Sequence, residues 1–281
     1  MQNLAQSIAK PCALTNLQHS PGAFMILIDE VERAQQELRK VLGVCDMAVA
    51  FTGAGLSTEC GIPDFRSMDS AWRRHPPIPF KEFVADSEAR ALAWRRKFVM
   101  DDLTAGAQPG RGHRALARLM EQGIVGAIVT QNIDGMHQAA GAQGERIIEL
   151  HGNGDYASCL SCGVRHELHE VRPRFEASGL APECGCGGAV KSATISFGQS
   201  MPQEALRRAR KVSLDCDLFL AIGSSLVVYP AATLPVLAKE NGAALVIVNG
   251  EPTPLDASAD MVLRGDIGAI LEPFEGALKN K

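Results

Sequence analysis

No stretch of this chain stays apolar for long enough to span a bilayer as a helix, so no membrane association is expected. Positive charge is not in excess: 28 Lys and Arg stand against 32 Asp and Glu, a net charge of −4. A general nucleic-acid or polyphosphate binder is therefore not expected. There is no internal repeat and no low-complexity tract. Residues Met1 to Phe24 lack a basic segment followed by an apolar one, so no secretory leader is read there. Residues 1–25 read instead as a loosely ordered extension, and the protein as cytoplasmic. Without a leader, the eight cysteines are expected to stay reduced. What is present is a chain of 281 residues, 46% of them hydrophobic. That is enough for one large domain or two small ones.

The apolar residues fall into an alternating rhythm. Asp29 to Leu42 has a helical stripe of Ile28, Val31, Leu38, Val41 and Leu42. Met47–Phe51 is a short apolar run, as are Ile124–Val129, Arg146–Leu150, Ala193–Phe197, Asp217–Ile222 and Ala243–Val248. Runs of this length read as buried strands. Helical patterns separate them at His113–Gln122, Pro202–Lys211 and Ala231–Asn241, with a charged helical module over Phe80–Val84 and Glu88–Asp101. Strands alternating with helices predict an α/β fold with a doubly wound parallel sheet. In such sheets ligands bind at the carboxyl ends of the strands.

Those ends carry the notable residues. The first run feeds into Thr52-Gly53-Ala54-Gly55-Leu56-Ser57, a turn poor in Cβ atoms whose amides can approach a pyrophosphate. The second ends at Gln131-Asn132-Ile133-Asp134, the third at His151-Gly152, and later ones at Gly223-Ser224-Ser225 and Asn249-Gly250-Glu251. A histidine at a strand end beside Asn132 suits a catalytic base, because its ordinary pKa lies near neutrality. Cys159-x-x-Cys162 and Cys184-x-Cys186 interrupt the rhythm with a polar, loop-rich segment. Two close thiolate pairs fit a tetrahedral zinc with no open coordination position, hence a structural one. The one-residue gap in the second pair departs from the usual spacing. His166 and His169 read as a solvated face, and the scattered Cys12, Cys45, Cys60 and Cys216 as inert.

Taken in order, Gly53-Ala54-Gly55-x-Ser57, Gly61-Ile62-Pro63-Asp64-Phe65-Arg66, Gln131-Asn132-Ile133-Asp134, Leu150-His151-Gly152, the cysteine pairs, Phe197-Gly198, Gly223-Ser224-Ser225-Leu226 and Val248-Asn249 resemble the sirtuins. These are NAD-dependent protein-lysine deacylases, and the likeness, to bacterial members, runs from Asp29 to the C-terminus. It implies a Rossmann-type sheet in residues 26–66, 113–156 and 191–281. A cofactor loop and helical module would occupy 67–112, and a zinc-binding module 157–190. NAD and an acyl-lysine protein or peptide would enter the cleft between the large and small domains.

The resemblance also implies roles. Gly53, Ala54, Gly55, Ser57, Gly223, Ser224 and Ser225 would cradle the phosphates and ribose. Asn249, Gly250 and Glu251 would lie at the adenosine end, with Asp266 and Ile267 near adenine. Ala54, Asp64, Phe65, Arg66, Trp72 and Gln131 would surround the nicotinamide ribose. Ile133 and Asp134 would hold the carboxamide, and Asn132 a ribose hydroxyl. His151 would deprotonate a ribose hydroxyl, giving free lysine, nicotinamide and acyl-ADP-ribose. Ile195, Phe197 and Val228 would line the acyl-lysine tunnel, with the main chain at Phe197-Gly198 clamping the peptide. Cys159, Cys162, Cys184 and Cys186 would bind zinc. Protein mono-ADP-ribosylation, or non-catalytic NAD sensing, are the alternatives.

Two further departures bear on the substrate. Ser192 and Gln199 stand where the family usually has Pro and Glu. Members that prefer acidic acyl groups carry Tyr-x-x-Arg in the helical module, and the nearest match here is Leu92-x-x-Arg95. A neutral acyl group is therefore expected to be preferred.

Overall fold

The structure is a computed structural model that describes residues 25–65, 67 and 70–276. The N-terminal extension, apart from Met25, and Arg66 lie outside the described residues. In chain order the elements begin β1 (Ile26–Ile28), α1 (Val31–Leu42), β2 (Ala48–Thr52), α2 (Ala71–Arg74), α3 (Phe80–Ala85) and α4 (Ser87–Leu103). Next come α5 (Arg111–Glu121), β3 (Val125–Thr130), α6 (Met136–Ala139), β4 (Ile147–Glu149), β5 (Gly152–Cys159), β6 (Arg165–Glu167), α7 (Leu168–Ser178) and β7 (Val190–Thr194). The chain closes with α8 (Gln203–Asp215), β8 (Leu218–Ile222), α9 (Thr233–Glu240), β9 (Ala244–Asn249), β10 (Met261–Arg264) and α10 (Ile267–Leu271).

Seven strands form one parallel sheet in the order β1-β10-β9-β8-β2-β3-β4. Successive residues of a strand face opposite sides, and here both sides are covered. Ala48, Ala50, Ile128, Leu220 and Val246 pack with Leu38 of α1, Leu116 and Leu119 of α5 and Ile270 of α10. Val49, Phe51, Val129, Phe219 and Ile247 pack on the other face with Ala209 of α8 and Leu234 of α9. Burial on both faces is why these strands read as unbroken apolar runs. Each fully buried Val, Leu or Ile contributes roughly 1.5–3 kcal/mol, so the sheet is held by apolar burial.

From β2 the chain winds one way to β3 and β4; later it winds the other way through β8, β9 and β10. The direction reverses between β2 and β8, and the crevice at their carboxyl ends is the expected ligand position.

The second sheet is antiparallel, in the order β6-β5-β7. Its small core joins Val190 of β7 and Ala157 of β5 to Trp94 and Phe98 of α4 and Val171 and Phe175 of α7. The indole Nε1 of Trp94 donates to the Val190 carbonyl at 3.0 Å, which ties α4 to β7.

Three expectations are corrected. The cysteine segment is not only loop: α7 occupies Leu168–Ser178 despite Pro173. The strand expected over Ala193–Phe197 lies at Val190–Thr194, because its ladder is set by Cys159 opposite Val190. Strands β1 and β10 were not anticipated. No helix among the described residues is long and apolar enough to cross a membrane.

Candidate functional site

Two glycine turns interlock at the switch point. The amide of Gly53 donates to the Ile222 carbonyl at 3.0 Å, and that of Gly55 to the Gly223 carbonyl at 2.9 Å. A Cβ on Gly53 would sit 2.7 Å from the Gly223 oxygen. One on Gly223, whose φ is +62°, would sit 2.4 Å from the Leu56 nitrogen. The β2 and β8 loops therefore meet through backbone alone, leaving a cradle of main chain where an anionic group can approach closely. Ser224 closes one side, its Oγ accepting from Gln131 Nε2 at 2.8 Å. Ser225 follows it on the same turn. Leu226, next in the chain, has a left-handed φ of 54° although it is not glycine, a strained backbone of the kind that collects at functional sites.

Below this cradle lies a polar network. Ser57 Oγ donates to Asp134 Oδ2 at 2.7 Å and accepts from Asn132 Nδ2 at 3.1 Å. Asn132 Nδ2 also reaches the Gly53 carbonyl at 3.2 Å, and its amide bonds Thr130 Oγ1 at 3.0 Å. Thr52 Oγ1 donates to Thr130 Oγ1 at 2.9 Å, so it accepts from His137 Nε2, also at 2.9 Å. His137 is thus the Nε2–H tautomer, and burial pulls its pKa down to about 3. His113, buried beside it, is also shifted down by burial. Sequence reasoning missed both histidines, because each sits inside a helical pattern with no motif around it.

His151 follows β4 at the same edge. Its Nδ1 lies 3.0 Å from the Gln131 carbonyl. A carbonyl only accepts, so Nδ1 carries the hydrogen and Nε2 is left with a lone pair. Burial lowers the pKa of the ring, partly opposed by the Gln131 carbonyl, which keeps it neutral and able to take a proton. Gly152 has φ +73°, and a Cβ there would lie 2.0 Å from the Ala193 carbonyl oxygen.

The loop after Gly55 packs on itself. Asp64 accepts from the amide and the hydroxyl of Ser67 at 2.7 and 2.5 Å. Phe65 stacks on Trp72 with ring centroids 4.5 Å apart, and Trp72 Nε1 donates to the Pro63 carbonyl at 3.2 Å. Trp72, Ile133 and Asp134 line a cavity of about 220 Å³ that continues past Phe83, Trp94 and Lys191. Ala93 and Arg96 line it. Arg96 Nη1 donates to the Pro76 carbonyl at 2.5 Å.

The other expected residues lie nearby. The Ile195 amide donates to the His151 carbonyl at 2.7 Å, and the Phe80 amide to the Phe197 carbonyl at 2.9 Å. Phe197 is 64% and Val228 39% exposed. Gly198 has φ +81° with open space around it. Gln199 Oε1 accepts from the Ser196 amide at 3.1 Å. At the far end of the sheet, Asn249 Nδ2 donates to the Glu251 carbonyl at 2.7 Å across Gly250. Asp266 caps the helix that begins at Ile267 and pairs with Arg111 at 3.0 Å.

The four clustered sulfurs of Cys159, Cys162, Cys184 and Cys186 all lie within 4.8 Å of one another. The closest pairs are Cys159–Cys186 at 3.5 Å and Cys162–Cys184 at 3.7 Å. A tetrahedral zinc with Zn–S bonds of about 2.3 Å needs sulfurs roughly 3.8 Å apart, so the donor set fits that metal. The short second spacing is accommodated by a turn in which the Gly187 amide bonds the Cys184 carbonyl at 2.8 Å, with Gly187 at φ +81°. Backbone bonds from Cys162 first, and then from Ser161, hold the Cys159 thiol down at about 6, while against a backbone bond at Val164 the Cys186 and Cys159 thiols push that of Cys162 up to about 12. Among the described residues neither His166 nor His169 joins the cluster.

The family model "Sir2 family" matches residues 53–230. An NAD-dependent protein deacetylase of Rhodopseudomonas palustris is 56% identical over 242 residues, covering 86% of this chain and 96% of the relative. NAD-dependent protein deacetylase 1 of Bradyrhizobium diazoefficiens is 53% identical over 252 residues, covering 89% and 99%. A solved structure of Sir2 with a p53 peptide and NAD+ superimposes with a TM-score of 0.76 at 35% identity, covering 85% of this chain and 96% of that one. This chain belongs to the Sir2 family.

Proposed function

We propose that this chain is an NAD-dependent protein-lysine deacetylase. It removes the acyl group from a lysine side chain and releases nicotinamide and O-acyl-ADP-ribose. The observation that carries the reading is the His151 tautomer: Nδ1 is committed to the Gln131 carbonyl, so Nε2 is the free base. It stands at the strand edge next to the Asn132–Ser57–Asp134 network.

NAD supplies the activated ribose carbon that accepts the acyl oxygen. The glycines at 53, 55 and 223 admit its pyrophosphate, with Ala54, Ser224 and Ser225 beside them, and Asn249, Gly250, Glu251, Asp266 and Ile267 meet the adenosine. Ile133 and Asp134 hold the carboxamide, Asn132 a ribose hydroxyl, and Asp64, Phe65, Trp72 and Gln131 keep water from the ribose. His151 Nε2 takes the proton of a ribose hydroxyl, a step worth about 10²–10⁴-fold when the base is well placed. Ile195, Phe197, Gly198 and Val228 receive the acyl-lysine peptide, with main chain adding a strand. A zinc on the four cysteines holds the small module together and takes no part in the chemistry.

Leu92, which stands where members preferring acidic acyl groups carry a tyrosine, offers no hydroxyl, and the guanidinium of Arg96 in the cavity donates to the Pro76 carbonyl. A buried acyl carboxylate would therefore lack a hydroxyl partner. Acetyl-lysine, or a longer neutral acyl-lysine, is expected to give a kcat/KM about tenfold or more above succinyl-lysine on the same peptide. NAD consumption across an acyl-lysine panel tests both statements. No turnover of any acyl peptide would overturn the activity, and faster succinyl turnover would overturn the preference.

A further inference from the structure

We propose that Lys191 is a positioning residue whose buried ammonium holds the irregular end of β7 in the shape that fixes His151. The proposal rests on the deacylase reading above.

Lys191 lies in β7, only 4% exposed. Its Nζ donates to the Thr194 carbonyl at 2.6 Å and to the Ser192 carbonyl at 3.3 Å, and stands 5.9 Å from the centre of the Phe83 ring. Burial alone pulls its pKa down, to about 8. Among the described residues, no carboxylate pairs with it. A buried cation without a counter-ion is costly, and an aliphatic side chain would fill the same space without that cost. What the ammonium adds is its donors.

Those donors meet a break in the sheet. Gly152 pairs with Thr194, but the next pair is Ala157 with Ser192. Asn153 to Tyr156 of β5 thus bulge out opposite Ala193 alone. At this irregularity Lys191 donates to the Ser192 and Thr194 carbonyls on either side of Ala193. The consequence is felt at once along the chain. Ala193 presses its carbonyl against Gly152, and Ile195, next to Thr194, bonds the His151 carbonyl at 2.7 Å. His151 is thus held from two sides, by Gln131 through its ring and by β7 through its main chain. Removing the ammonium takes a donor from two carbonyls beside a largely buried side chain. β7 must then shift, and the base shifts with it. Displacements near 1 Å at such a group can cost about a hundredfold in rate.

The test uses the full zinc-loaded chain with Lys191→Met, Lys191→Gln and Lys191→Arg. For Lys191→Met, kcat on an acetyl-lysine peptide is expected to fall about tenfold or more. Nicotinamide exchange, which precedes the His151 step, should stay within about threefold of the unaltered enzyme. Lys191→Arg should restore most of the loss, because its donors reach the same carbonyls. Lys191→Gln, with fewer donors, should fall in between and stands in if the Met variant does not fold. In ¹H–¹⁵N spectra the imidazole signals of His151 should move while those of His137 do not. An unmoved His151 with kcat within about twofold would overturn the proposal. So would equal loss of exchange and turnover with both histidines displaced, which reports general loosening. If the unaltered enzyme turns over no acyl peptide, the deacylase reading falls, and the imidazole signals alone decide the role of Lys191.

Discussion

The two sheets of this molecule are held together by different physics. The parallel sheet buries both faces of β2, β3, β8 and β9 under helices on each side. The antiparallel sheet has a core of a few side chains, chiefly Trp94, Phe98, Val171, Phe175 and Val190. Beside that core stand its four clustered thiols. A core this small does not carry a module alone; small units of this kind are usually completed by a metal or by disulfides. The parallel sheet has a large core of its own, whereas the antiparallel one has a small core beside a cysteine cluster that could hold a zinc.

The largest expected effect breaks that contrast directly. Cys159→Ala, or removal of zinc by a chelator, withdraws a coupled binding and folding energy on the order of 10 kcal/mol from the small module. Thermal melts should split, with the parallel sheet surviving and activity lost, and metal analysis should find about one zinc per untreated chain. Unchanged melting and rate without metal would erase the distinction between the sheets. Next comes His151→Tyr. Deacylation should fall about 10²–10⁴-fold while nicotinamide exchange persists, because the cradle on the parallel sheet is untouched. In the unaltered enzyme the acid limb of kcat/KM should lie below the ordinary histidine value, as burial lowers the His151 pKa. Near-normal turnover by a folded His151 variant would remove the base from its role.

A third, smaller effect concerns the interlocked turns. Gly223→Ala places a Cβ 2.4 Å from Leu56 N at φ +62°, costing about 1–3 kcal/mol. Calorimetry should show weaker NAD binding with unchanged zinc content. The smallest effect is a pH slope belonging to the parallel sheet alone. His137 titrates near 3 when folded, against the ordinary 6.5. Between those values the unfolded chain holds one more proton. Stability is therefore complete above about 6.5 and falls by about 1.4 kcal/mol per pH unit as pH drops toward 3. His137→Gln should flatten the slope of unfolding free energy against pH by that amount, and an unchanged slope would contradict the buried neutral tautomer.

Much of the parallel sheet was legible because doubly buried strands are written as apolar runs: Ala48–Thr52, Val125–Thr130, Leu218–Ile222 and Ala244–Asn249 lie within a residue or two of their expected positions. Strands β1 and β10 escaped notice because three and four residues carry no period. The β7 shift has another cause. Ala193–Phe197 is the more apolar segment, but pairing with Cys159 pulls the ladder toward Val190. α7 was hidden by Pro173 and by a weakly amphipathic, charged sequence. At the site, residues in glycine-rich or strand-end contexts announced themselves, whereas His113 and His137 act through tertiary partners far along the chain, and Lys191 acts on carbonyls whose exposure at the strand irregularity leaves no mark in the sequence.

The small module is made of two separate excursions, one leaving after β2 and returning at α5, the other leaving after β4 and returning at α8. They join each other through Trp94 and Val190. The backbone therefore passes between the two bodies four times, and a single protease cut in any one passage leaves three covalent tethers intact. Nicking in the segment around Ser67 should yield two fragments on a denaturing gel that still elute together as one native particle.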